Sequence, residues 1–267
     1  MSVRYYYEDA YKTHFEANVR ERLVHDGKPA VVLDGTYFYP ASGGQPADGG
    51  TLGGRPVLDV FIRNDGAIVH VVGGELGDGA LQGVVDWPRR FDHMQHHTGQ
   101  HILSQAFIRI AGAETISFHL SDNSVTIDLD CESLQPQEVE AAELLANTIV
   151  WEGRPVEVRM LSAAAAEQLA LRKLPPVDGD TVRLVDIASF DLTACGGTHV
   201  ARTGEVGMIK VVRVERQRGR PRIAFLCGRR ALLDYRQKNR VVNHLSTILT
   251  TGTEQLEESV GNLQEEL

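Results

Sequence analysis

The amino-acid sequence predicts an α+β chain in three parts: a small N-terminal β-barrel over residues 1–88, an α+β domain over 89–230 and a helical tail over 231–267. Short apolar runs broken by Gly-rich turns fill the first part. Helical spacing then takes over after Trp87-Pro88, and from Arg229 onward no strand pattern recurs.

In the first part, Val57–Ile62 and Ala67–Val72 have strand length and β-branched content, and Asn64-Asp65-Gly66 between them is a hairpin signal. From Phe91 to Ile110, residues Met94, His97, His101, Leu103 and Phe107 recur at helical spacing. Ala113–Asp130 reads as paired strands, with SVTIDLD alternating. Pro136 suits the first turn of a helix reaching about Val150. Arg154–Met160 reads as a strand, Ala163–Leu171 as a short helix and Val182–Asp186 as a strand. Gly207–Val214 and Arg222–Cys227 form a hairpin around the basic turn Gln217–Pro221, and Arg229–Leu267 is helical, with Gly252 and Gly261 as candidate interruptions.

Composition excludes several classes. No apolar stretch approaches a membrane span, so no membrane association is expected. The N-terminus has no apolar signal segment. Three scattered cysteines, Cys131, Cys195 and Cys227, make no disulfide framework, which fits a reducing cytoplasmic location. A net charge of −9 argues against indiscriminate nucleic-acid binding. Locally the balance reverses: Lys210–Arg230 carries Arg213, Arg216, Arg218, Arg220 and Arg222 against the single acid Glu215. Such a segment can be an RNA-facing edge or simply a solvated hairpin.

His97 and His101 lie four apart, so on a helix both imidazoles project from one face. His93–His97 is a competing pair at the same spacing. Almost a hundred residues later, Cys195-Gly196-Gly197-Thr198-His199 can fold tightly enough for thiolate and imidazole to converge. Together these groups make the N/S donor set that zinc prefers.

HHTGQH and CGGTH, preceded by the Gly-rich stretch Phe38–Gly50, resemble the editing domain of alanyl-tRNA synthetases and its free-standing relatives, the AlaX proteins. The resemblance covers nearly the whole chain and favours the His97–His101 register, with Cys195 and His199 completing a Zn2+ site. His93 and His96 then become supporting or RNA-facing groups. It implies that residues 89–230 are a zinc-dependent editing domain that deacylates mischarged tRNA(Ala), chiefly Ser-tRNA(Ala) and also Gly-tRNA(Ala). With Met1 running almost directly into the barrel, a trans-acting editor is expected.

On that resemblance Gln100, Thr98 and His119 are the catalytic candidates. Ser42, Gly43, Gly44 and Gln45 would approach the ribose or amino acid, and Arg216 and Arg218 the tRNA. Asp191 and Thr193 would shape the loop before Cys195. The rival readings are a non-catalytic, zinc-stabilised tRNA-binding module and a hydrolase of some other aminoacyl ester. The chain stops at Leu267 inside a helical pattern with no capping signal. Either a further domain or a homodimer through the C-terminal helix would answer that.

Overall fold

The computed structural model describes residues 2–172 and 181–265. Six strands close the N-terminal barrel: β1 (His14–His25), β2 (Lys28–Leu33), β3 (Gly50–Leu52), β4 (Arg55–Ile62), β5 (Ile68–Val72) and β6 (Ala80–Val85), in the order β1-β2-β5-β4-β3-β6. The expected hairpin joins β4 to β5, with Gly66 at φ 81° in the turn. Phe15, Leu33, Phe38, Leu52, Val60 and Ile68 pack the barrel interior.

Helix α1 (Trp87–Ala111) begins where the sequence placed only a break. Asp86 caps it by accepting from Arg89 N at 3.3 Å, and Pro88 sits in the first turn, where its missing N–H costs nothing. Beyond α1 come β7 (Glu114–Leu120), β8 (Val125–Asp130), α2 (Pro136–Trp151), β9 (Val156–Ser162), α3 (Ala163–Ala166), β10 (Thr181–Ile187), β11 (Asp191–Ala194), β12 (Ile209–Gln217) and β13 (Arg220–Cys227). One sheet has the order β12-β13-β8-β7 and a smaller one the order β9-β10-β11. The short helix expected over Ala163–Leu171 stops at Ala166. α1, α2 and the first sheet enclose the larger core around Met94, Phe107, Ile127, Ile149 and Phe225.

A fully buried ion pair fixes α1 to the barrel. Arg90 donates to both carboxylate oxygens of Asp48 and to the carbonyls of Ala10 and Tyr37. Asp48 also accepts from Tyr39 N at 2.6 Å. Removing either partner would strand a buried charge, at a cost of about 3–5 kcal/mol.

Contacts divide the chain into two compact units, Met1–Gly228 and Arg229–Leu267. The second holds most of α4 (Gly228–Leu249) and all of α5 (Leu256–Glu265). Gly252 lies in the break between them, whereas Gly261 sits inside α5 without interrupting it. The expected helix also extends to Glu266 and Leu267, which lie outside the described residues.

Candidate metal centre and adjoining cavity

Helix α1 presents His97 and His101 on one face, and β11 delivers Cys195 and the loop to His199 against it. One donor atom from each of the four residues lies within 4.8 Å of the others. His97 Nε2 and His199 Nε2 are each 3.3 Å from Cys195 Sγ, and Gly197 N donates to the same sulfur at 3.3 Å. Gly197 has to be glycine here: a Cβ would sit 2.1 Å from the His97 ring.

Each imidazole is held from outside through Nδ1. His97 Nδ1 donates to Gln45 Oε1 at 2.7 Å, and His199 Nδ1 meets Thr98 Oγ1 at 3.1 Å. His101 Nδ1 faces Asp191 Oδ2 at 3.3 Å, at ion-pair distance but off hydrogen-bond alignment. This leaves each Nε2 toward the centre, the orientation that supporting groups impose on metal-binding histidines. Arg172 clamps Asp191 through two bonds, at 2.6 and 3.1 Å.

The electrostatics agree. Burial alone would raise the Cys195 thiol, but the imidazoles of His97, His199 and His101 outweigh it and hold the thiol well below its ordinary value. Burial pushes His199 down to about 3 against the pull of Cys195. At His101 burial also lowers, but Cys195 and Asp191 prevail and raise it. Burial would raise Asp191, yet His101 and Arg172 keep it below the usual carboxylate range. Three oriented imidazoles and an ionisable sulfur could hold a metal ion of borderline softness.

His97, His101 and Cys195 form part of the wall of a cavity of about 770 Å³, lined also by Ser42, Gly43, Gln100 and Phe118. Ser42–Gln45 is a tight turn, with Ser42 and Gln45 bridging and Gly43 and Gly44 at φ 55° and 82°, as a type I′ turn requires. Its backbone docks on β7 through Leu120 N to Gly44 O at 3.0 Å.

The other anticipated residues take varied positions. Gln45 is buried behind His97, and Thr98 is buried behind His199, where it also accepts from Val200 N at 3.1 Å. Gln100 lines the cavity; its Nε2 donates to Ser104 Oγ at 2.7 Å, and Ser104 continues to Thr115 at 2.6 Å. His119 is exposed and lines no part of the cavity, whereas its strand neighbours Thr115, Ile116, Ser117 and Phe118 do. Thr193 is buried and lines the cavity.

His93 stays outside the metal cluster, and both His93 and His96 are fully buried, so the RNA-facing expectation for them fails. His96 Nδ1 donates to Asp92 O at 2.8 Å, while Nε2 accepts from Cys227 N at 3.0 Å. Arg216 and Arg218 sit at the tip of the β12–β13 hairpin, at the far edge of the sheet from β7. Much of that basic run is neutralised: Lys210 pairs with Glu143, Arg220 with Asp130 and Arg222 with Asp128. Sequence reasoning missed Arg4, Tyr7, Arg172 and Arg183 around the site. Only Arg183, flanked by Val182, Leu184 and Val185, carried a signal.

A family model for the second additional domain of threonyl and alanyl tRNA synthetases matches residues 182–223, which include Cys195 and His199. The chain is 35% identical to the alanyl-tRNA editing protein AlaX-L of Pyrococcus horikoshii, over 87% of this chain and 59% of that protein. It is 34% identical to the alanyl-tRNA editing protein Aarsd1 of Danio rerio, over 88% of this chain and 58% of that one. An alanine–tRNA ligase of Pyrococcus abyssi is 38% identical over 95% of this chain and 29% of its own length. The chain thus spans between about three-tenths and six-tenths of these relatives, and the likeness carried by the three motifs holds over most of it.

Proposed function

We infer that this chain, which belongs to the alanyl-tRNA editing family, is a trans-acting hydrolase that deacylates mischarged tRNA(Ala). Ser-tRNA(Ala) is the chief substrate and Gly-tRNA(Ala) a second. The observation that carries this reading is that three members of the metal cluster, His97, His101 and Cys195, line a cavity of about 770 Å³, room for an aminoacylated ribose. Zinc is the proposed ion. When bound, it supplies Lewis-acid polarisation for ester hydrolysis.

The chain's own residues position the reactants. With Nε2 committed to Ser104, Gln100 leaves Oε1 to the cavity, able to accept from the seryl hydroxyl, the substrate ammonium or the attacking water. An apolar pocket separates serine from alanine poorly, whereas an acceptor for the hydroxyl rejects alanine strongly, because the site's polar group would otherwise go unpaired. Ser42 and Gly43 bring backbone and hydroxyl groups to the same cavity. Thr98 and Gln45 act through His199 and His97 rather than on substrate.

Four protein donors would fill a tetrahedral zinc, which favours the second reading, a zinc-stabilised tRNA-binding module without turnover. The Cys195→Ala, His199→Ala double variant tests the first. It should lose both metal and deacylation while the barrel stays folded by circular dichroism. Full zinc occupancy in that variant would refute the ligand set.

Arg216 and Arg218 are the proposed tRNA contacts. Self-association is proposed through the stripe Val241, Leu245 and Ile248, all exposed on one face of α4. Among the described residues no helix is long and apolar enough to cross a membrane. A cytoplasmic location is part of the proposal.

A further inference from the structure

One wall of the cavity is built unlike the rest. Arg4, Tyr7 and Arg183 line it together, beside the Cys195 loop. Arg183 is 8% exposed, and its Nη1 donates to the carbonyl of Cys195 at 2.6 Å. Its Nε is buried without a partner, and its Nη2 has none among the described residues. Its guanidinium carbon stands 4.8 Å from the centre of the Tyr7 ring, and that of Arg4 stands 5.7 Å from it. Arg4 Nη1 donates to Tyr7 Oη at 3.2 Å, and that hydroxyl lies against Gly196.

Neither arginine has a carboxylate partner among the described residues. Of the other charged groups lining the cavity, Arg172 is committed to Asp191 and Glu167 is exposed. Cys195, whose sulfur belongs to the metal cluster, acts on Arg183 together with the phenols of Tyr7, Tyr39 and Tyr6. A guanidinium has five donors, and burying it with one acceptor met is costly unless a ligand supplies the others. Two guanidiniums and a phenol converging on one wall fit a tetrahedral oxyanion, which arginine grips through paired N–H groups.

We propose that Arg4, Tyr7 and Arg183 form a phosphate subsite that takes the phosphodiester on the 5′ side of the substrate RNA's terminal nucleotide. This rests on the editing reading, which brings the 3′-ester of that nucleotide to the metal cluster. The 5′-phosphate and the 3′-ester flank a single ribose, and Arg183 is bonded to the backbone of Cys195 itself. The subsite would register the ribose against the cluster whatever amino acid the ester carries. It therefore contributes affinity and alignment, and leaves the choice of serine to Gln100.

The test uses the zinc-loaded full chain and two non-hydrolysable probes, 3′-deoxy-3′-(seryl)aminoadenosine and its 5′-monophosphate. Isothermal titration should show the phosphorylated probe binding about tenfold or more tightly, the scale of one charged hydrogen-bonded contact. In Arg4→Gln and in Arg183→Lys, which keeps the charge but loses the planar fork, that ratio should fall toward one. Affinity for the unphosphorylated probe reports separately whether the pocket is intact. Equal binding of the two probes by the wild-type chain would overturn the subsite and leave the editing reading standing. No binding of either would overturn both. Competition by inorganic phosphate as effective as that by the phosphorylated probe would overturn the assignment to the RNA end.

Discussion

Gln45 Oε1 accepts from His97 Nδ1 at 2.7 Å and from Thr198 N at 3.2 Å, while Gln45 Nε2 donates to Thr198 Oγ1 at 2.9 Å. One amide, carried on a turn that follows the second barrel strand, thus grips both halves of a cluster whose sequences lie almost a hundred residues apart. Geometry set by the barrel passes through it to the site. Loss of such a supporting partner costs about 10–100-fold in metal affinity. Gln45→Ala should weaken zinc binding by that factor in chelator competition, and Gln45→Glu, which keeps an acceptor for His97, should recover part of it. Wild-type affinity in Gln45→Ala would show that the amide is only packing.

The two glycines of the Cys195–His199 loop should respond differently to the same change. At Gly197 a Cβ would stand 2.1 Å from the His97 ring, whereas at Gly196 it would meet only Tyr7 Oη, at 3.2 Å. Gly197→Ala should therefore displace His97 and abolish stoichiometric zinc, while Gly196→Ala keeps most of it. Atomic absorption on the two purified variants decides, and equal zinc content would contradict the steric account.

The motifs that place chemistry were legible because they are local. Helical spacing put His97 and His101 on one face, and paired glycines let Cys195 and His199 converge. Residues that hold those ligands were not legible in their roles, since Gln45, Thr98 and Asp191 meet their histidines only through tertiary packing. The orientation of His119 failed for a related reason: the sequence shows the strand but not which of its residues meet the cavity. In the barrel, β1 went unannounced because Arg20, Glu21 and Arg22 interrupt its apolar pattern.

His70 gives the barrel a specific response to acid. It is fully buried, with Nε2 2.9 Å from Thr36 Oγ1, and burial pushes its pKa down from 6.5 to about 4 despite the Val31 carbonyl. Between those values the unfolded chain binds the proton and the folded chain does not, so stability falls as pH drops from about 6.5 to about 4. The expected loss is about 3 kcal/mol in total. Urea unfolding across this range should show that slope, and His70→Gln should remove it. An unchanged slope in the variant would assign the effect to other groups.

Arg216 and Arg218, at the exposed hairpin tip, should matter for RNA and not for the metal. Replacing both with Gln should leave zinc content unchanged and make the salt dependence of tRNA binding shallower by about one and a half units of log–log slope. An unaltered slope would make the tip a solvated turn.

The most direct measurement is hydrolysis of Ser-tRNA(Ala), with Ala-tRNA(Ala) as control, by the chain before and after zinc is stripped and restored. The account predicts rapid release of serine, little release of alanine, loss on stripping and recovery on restoring zinc. Intact Ser-tRNA(Ala) that stays bound to the zinc-loaded chain would contradict it and leave the non-catalytic module in its place.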